Sequence, residues 1–152
     1  MTQATRMLLI VIFGITFVSR ASYAAEVDRA AVDFKTPSEI KWVRNAAGTN
    51  ESAVLFGDPS KPGPYVMRLK WLPGGMSRPH FHPNDRFFTV ISGTWWVGTG
   101  EKFDPESTLP VSAGSYVVHY ANKIHYDGAK NEEAVIQVWG MGPATSTPAE
   151  KK

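Results

Sequence analysis

From Ile40 onward the apolar residues come in short runs of four to eight, each cut off by glycine, proline or a polar cluster. The runs Ile40–Val43, Ala53–Phe56, Tyr65–Leu72, Arg86–Ser92, Thr94–Gly98, Ser115–His119 and Ala134–Trp139 read as strands. The breaks between them include Asp58–Pro64, Pro73-Gly-Gly75, Ser92-Gly93 and Phe103–Glu106. Short strands at such regular spacing predict an all-β sandwich or barrel. No apolar pattern long enough for a core helix follows the first 24 residues, and no internal repeat is present, so one barrel is expected over residues 40–143. Residues 25–39 form an N-terminal arm, in which Glu26–Val32 is a candidate short helix. Residues 144–152, rich in Pro, Ala, Ser and Thr, are expected to be a disordered tail.

Alternation along the strands sets which side chains face inward. Phe88 and Val90 share the parity of Arg86 and should line the barrel. Val135, Gln137 and Trp139 share a face of the last strand, and that face is assigned inward, which makes Gln137 a buried polar group in need of a partner. Phe87–Ile91 and Tyr116–Val118 are apolar on both faces. A small protein can bury both faces of a strand only under a second layer, and a second copy in a homodimer is the simplest source of one.

The N-terminus changes the charge argument. Arg6, the apolar run Met7–Val18 and the small residues at Ser22 and Ala24 make a signal peptide cleaved after Ala24. The run is short for a membrane span and Arg20 interrupts its extension. A periplasmic or secreted protein follows, with no membrane partner after cleavage. The full chain has 16 Lys+Arg and 14 Asp+Glu, and cleavage takes away Arg6 and Arg20 but no acid. The mature chain is therefore balanced, without the basic cluster that a nucleic-acid surface requires. There is no cysteine, which excludes disulfides, thiolate ligands and a thiol nucleophile.

Candidate chemistry comes from histidine. Of the four in the chain, His80 and His82 are separated by one residue, so on a strand both point to one face, and His125 is the candidate for a third ligand from a neighbouring strand. The glycine frame around them reads Gly74-x5-His80-x-His82-x3-Arg86-x6-Gly93. This resembles the first motif of the cupin superfamily, G-x5-H-x-H-x3-E-x6-G, with Arg86 at the family's glutamate position. The second motif, G-x5-P-x-G-x2-H-x3-N, is matched at Gly114 and His125. Asn122 stands at its second glycine, a place where asparagine also tolerates positive φ. Tyr120 replaces the proline and Ala129 the asparagine. The segments Gly57–Pro64 and Thr89–Thr94 are similar to those of bacterial exported single-domain cupins. The resemblance implies a single jelly-roll β-barrel, a divalent metal on His80, His82 and His125, and dimerisation through a sheet.

Three neutral imidazoles suit iron, manganese, nickel, copper or zinc alike. Arginine carries no lone pair and cannot replace the anionic fourth ligand. Either Arg86 swings away and grips a carboxylate of a small organic acid, or the site holds no metal and Arg86 pairs with Asp85 or another acid. Asp85 itself faces outward by alternation and is not a ligand. His119 reads as an exposed or supporting histidine. A pocket lined by Met67, Phe88, Gln137, Trp139 and Arg86 would take a small, largely apolar anion. No residue stands out as a catalytic base. Three functions remain open: a metal-dependent cupin of dioxygenase or lyase type, a non-catalytic binding or sensor module, and a metal-free isomerase.

Overall fold

The structure is a computed structural model that describes residues 26–151. The signal peptide assigned to residues 1–24 lies outside the described residues. Residues 26–34 belong to a small separate unit. In it the amides of Ala31 and Val32 bond the carbonyl of Asp28, which closes a turn and not the short helix expected there. No helix among the described residues is long and apolar enough to cross a membrane.

The remainder, from Lys35, is all-β, with two single-turn 3-10 segments at Pro37–Glu39 and Pro105–Ser107. Six strands make one antiparallel sheet: β1 (Val43–Arg44), β2 (Asn50–Phe56), β3 (Gly63–Trp71), β5 (Arg86–Ser92), β8 (Tyr116–His119) and β10 (Ala134–Gly142). Their order across the sheet is β1-β2-β3-β10-β5-β8. The second sheet holds β4 (His80–Phe81), β6 (Thr94–Thr99), β7 (Leu109–Ser112), β9 (His125–Gly128) and β11 (Thr147–Pro148), in the order β11-β4-β9-β6-β7. Two antiparallel sheets with non-sequential neighbours make a jelly-roll sandwich, in which the inner faces of both sheets supply the core.

That core is Trp71, Phe88, Val90, Trp95, Ala129, Ala134, Ile136 and Val138, with Met67, Leu69, Val97, Val111 and Val117 against it. Phe88 and Val90 point inward, as alternation from Arg86 requires. The parity assigned to β10 is reversed. Ala134, Ile136, Val138 and Gly140 are its buried face, while Trp139 is 46% exposed. The physical reason is volume. Large aromatics from β3, β5 and β6 already fill the interior, so β10 contributes small and branched residues there, and its bulky positions turn outward. A Cβ on Gly140 would sit 3.0 Å from the Asp85 carbonyl, which shows how tight that inner face is.

The tail expected to be disordered is built into the second sheet. Thr147 and Pro148 pair with Phe81 and His80, and the amides of Ala144, Ala149 and Lys151 bond the carbonyls of Pro59, Pro79 and Glu101. The side chains of Arg78 and Glu150 form an ion pair. Short polar residues do not prevent strand addition when an edge strand offers unpaired backbone groups.

Candidate metal centre

The site lies between the two sheets. From the five-stranded sheet come His80 and His125, which are register partners on β4 and β9, and His82 just beyond β4. From the six-stranded sheet come Arg86 and His119, register partners on β5 and β8. The turn that precedes β9 depends on Asn122, whose φ of 59° is the left-handed conformation expected at that motif position, and whose amide bonds the His82 carbonyl at 2.8 Å.

His80, His82 and His125 converge. Their ligand atoms lie within 4.8 Å of one another, and ring centroids are 4.5–5.3 Å apart. Each ring donates Nδ1–H to a backbone carbonyl: His80 to Arg78 at 2.7 Å, His82 to Thr145 at 2.7 Å and His125 to Lys123 at 2.9 Å. A carbonyl only accepts, so these bonds fix the tautomer and leave each Nε2 as the lone-pair atom aimed at the centre, the arrangement that orients imidazoles toward a metal. His80 Nε2 and His82 Nε2 are 3.1 Å apart, and His125 Nε2 is buried without a partner. Two facing lone pairs and an orphaned buried acceptor are relieved by a cation between them, so the donor set fits a divalent ion.

Arg86 supplies the counter-argument. Its guanidinium donates to His82 Nε2 at 2.7 Å, and its Nε is buried without a partner. Arg86 and an ion compete for one lone pair. Burial and the neighbouring Arg86 charge lower the His82 pKa to about 3, with partial compensation from the Thr145 bond. Burial likewise brings His125 down to about 4. These imidazoles stay neutral, and so remain competent ligands, across the physiological range.

A cavity of about 390 Å³ opens onto this group, with Leu69, Trp71, Arg86, Phe88, Asp127 and Ser146 among its walls. Of the residues expected to line a ligand pocket, Arg86 and Phe88 do. Met67 packs against the core instead. Gln137, on the outward parity of β10, accepts from Arg68 Nε at 3.2 Å. Trp139 stacks on Phe87 outside the barrel, with centroids 4.2 Å apart. Asp85 faces outward and accepts from the Ala121 amide at 2.7 Å.

The sequence left His119 open between an exposed and a supporting role, and Asp127 escaped it. His119 is neither exposed nor peripheral: it is 6% exposed, 3.9 Å centroid-to-centroid from His125, and packed on Phe88 and Trp95. Asp127 is an inward acid, buried and bonded by Trp95 Nε1 at 3.2 Å, with its pKa raised by burial. Extending the period of two from His125 would have found it, but His125–Gly128 reads as a turn because it ends in Asp-Gly.

No protein-family model matches the sequence, and no curated protein matches it. Solved structures do. The polyketide cyclase RemF from Streptomyces resistomycificus superposes with a TM-score of 0.66 at 14% identity, over 80% of this chain and 87% of that one. An RmlC-like cupin from Shewanella frigidimarina gives 0.57 at 12% identity, over 73% and 90%. A sugar phosphate isomerase of the cupin superfamily from Silicibacter pomeroyi gives 0.56 at 18%, over 69% and 73%. This is a cupin fold. Proteins with different activities share it, so the cupin fold leaves the reaction to be argued from the site.

Proposed function

We propose that the protein is an exported, metal-binding cupin that acts on a small organic anion, by oxygenase-like or lyase-like chemistry. The observation that carries this reading is the set of three Nδ1-anchored imidazoles with converging Nε2 atoms. His80, His82 and His125 would hold the ion, which when bound supplies Lewis acidity toward a coordinated oxygen. The chain's own residues do the rest. Leu69, Trp71 and Phe88 exclude water and fit the apolar part of a ligand. Arg86, released from His82, presents its planar fork to a carboxylate. Asp127, with its pKa raised, and the Arg86 cation set the field across the cavity. The iron, manganese, nickel, copper and zinc alternatives share this donor set.

The Arg86–His82 bond favours a second reading, in which the guanidinium permanently takes the cation's place and the site binds an anion without metal. Metal stoichiometry and anion binding in three proteins separate the two. Under the first reading wild type binds one ion per chain, His82→Ala loses most of the affinity, and Arg86→Lys keeps the ion but weakens binding of carboxylates. Under the second, wild type and Arg86→Lys bind none and Arg86→Glu gains a site. A wild type that stays metal-free, beside an Arg86→Glu variant that binds, overturns the first reading. A non-catalytic sensor is distinguished by the absence of turnover across a panel of small acids.

A further inference from the structure

Behind the three-histidine centre lies a second donor cluster. His119 at the end of β8 and His125 and Asp127 on β9 bring their ligand atoms within 4.8 Å of one another. All three are buried. Both ring nitrogens of His119 lack any hydrogen-bond partner, as does His125 Nε2. A buried imidazole with neither nitrogen satisfied is costly. His119 packs on Phe88, on Trp95, whose indole N–H is already given to Asp127, and on His125, and it bonds none of them. A cavity of about 170 Å³, lined by Val117, His119, Tyr120, Lys123 and His125 among others, reaches the two histidines, while Asp127 lines the larger cavity. The smaller cavity is separate from the larger one at His80 and His82.

We propose that His119, His125 and Asp127 form a second, inner position for a borderline divalent ion such as Co(II), Zn(II) or Ni(II). Two imidazoles and one carboxylate are a common donor set for such ions. The carboxylate adds a negative charge that the three imidazoles of the outer position, with Arg86 beside them, lack. His125 has only one lone-pair nitrogen, because its Nδ1 is committed to the Lys123 carbonyl. The two positions are therefore alternatives that share Nε2 of His125, and one chain holds one ion. Arg86 takes up the lone pair of His82 and not that of His119, so it does not compete for a ligand atom of the inner position. The proposal rests on the outer reading only through His125.

The test uses Co(II) alone on protein stripped with chelator, followed by its visible spectrum and by equilibrium dialysis. The variant is the pair His80→Asn and His82→Asn. Asparagine can keep the donor to the Arg78 and Thr145 carbonyls while deleting the Nε2 ligand, so the local fold is spared. The expected result is that the pair still binds one Co(II) per chain, measurably more weakly than wild type. Adding Asp127→Asn, which leaves an acceptor for Trp95, then abolishes binding. Loss of all Co(II) from the asparagine pair while wild type binds overturns the inner site and spares the outer one. Binding by the pair that survives Asp127→Asn also overturns it. A wild type without Co(II) beside a pair that binds it would instead retain the inner site and remove the outer reading. A near-ultraviolet circular dichroism spectrum matching wild type confirms that each variant is folded; if the pair is not, His80→Ala with His82→Phe repeats the measurement.

Discussion

At the scale of single residues, the site is defined by what each imidazole gives away. His80, His82 and His125 commit Nδ1 to a carbonyl, so their chemistry is confined to Nε2. Neutrality inside the barrel has a cost. Burial lowers the folded pKa of His119 to about 2 and of His125 to about 4, from 6.5. Below pH 6.5 the unfolded chain takes up protons that the folded chain refuses, so metal-free protein loses stability as pH falls. The slope approaches about 1.4 kcal/mol per pH unit for each imidazole held neutral. Thermal unfolding of chelator-treated protein should give a midpoint that drops between pH 6.5 and 5, and His119→Phe should flatten that drop. A midpoint independent of pH in this window would contradict the burial of neutral histidines. Residues on long strands were legible from alternation: Arg86, Phe88 and Val90 face as expected. Asp127 was not, since its strand has four residues and no apolar alternation to reveal it.

At the scale of elements, β5, β6 and β10 could be read from their apolar runs, while β4, β7, β9 and β11 could not. Two- to four-residue strands carrying His, Asp, Pro and Gly have no propensity of their own and are held by their neighbours' ladders. Trp139 shows a different failure: period two is certain along β10, but which parity faces inward depends on the volume left by other strands. Gln137 on the same parity was the available clue. The segment after Pro143 matters most among the elements missed, because Thr145 provides the carbonyl that orients His82. A chain ending at Pro143 should keep its barrel, because the six-stranded sheet is untouched, yet bind metal about 10- to 100-fold more weakly, the usual cost of losing a ligand's orienting partner. Dialysis against a metal buffer measures this; unchanged affinity would detach β11 from the site.

At the scale of the whole molecule, the outer face of the six-stranded sheet is the unexplained surface. Phe56, Val66, Trp139, Phe87 and Val118 follow one another in register across β2, β3, β10, β5 and β8. A groove of about 590 Å³ lies over Phe56, Tyr65, Phe87, Trp139 and Met141. Phe56 is 61% exposed and Met141 55%. A contiguous apolar stripe of this kind is a common mark of association. We propose that two copies meet here. Light scattering should give a dimer mass for wild type and a monomer mass for Trp139→Glu with an unchanged circular dichroism spectrum. A wild-type monomer at micromolar concentration would leave the groove to another ligand.

The bond between His82 and Thr145 spans 63 residues. A polypeptide emerges N-terminus first, so His80 and His82 appear long before His125, and His125 before Thr145. Contacts so distant in sequence form late, after the entropy of closing the intervening loops has been overcome. A nascent chain therefore presents His80 and His82 before the rest of the proposed donor set, and an ion held by those two alone would be only loosely chelated. On the proposed reading, selectivity would come with the finished sandwich, where the Nε2 atoms are held in fixed directions. Metal acquired during synthesis would be exchangeable, and the ion found in purified protein would record the compartment in which folding finished.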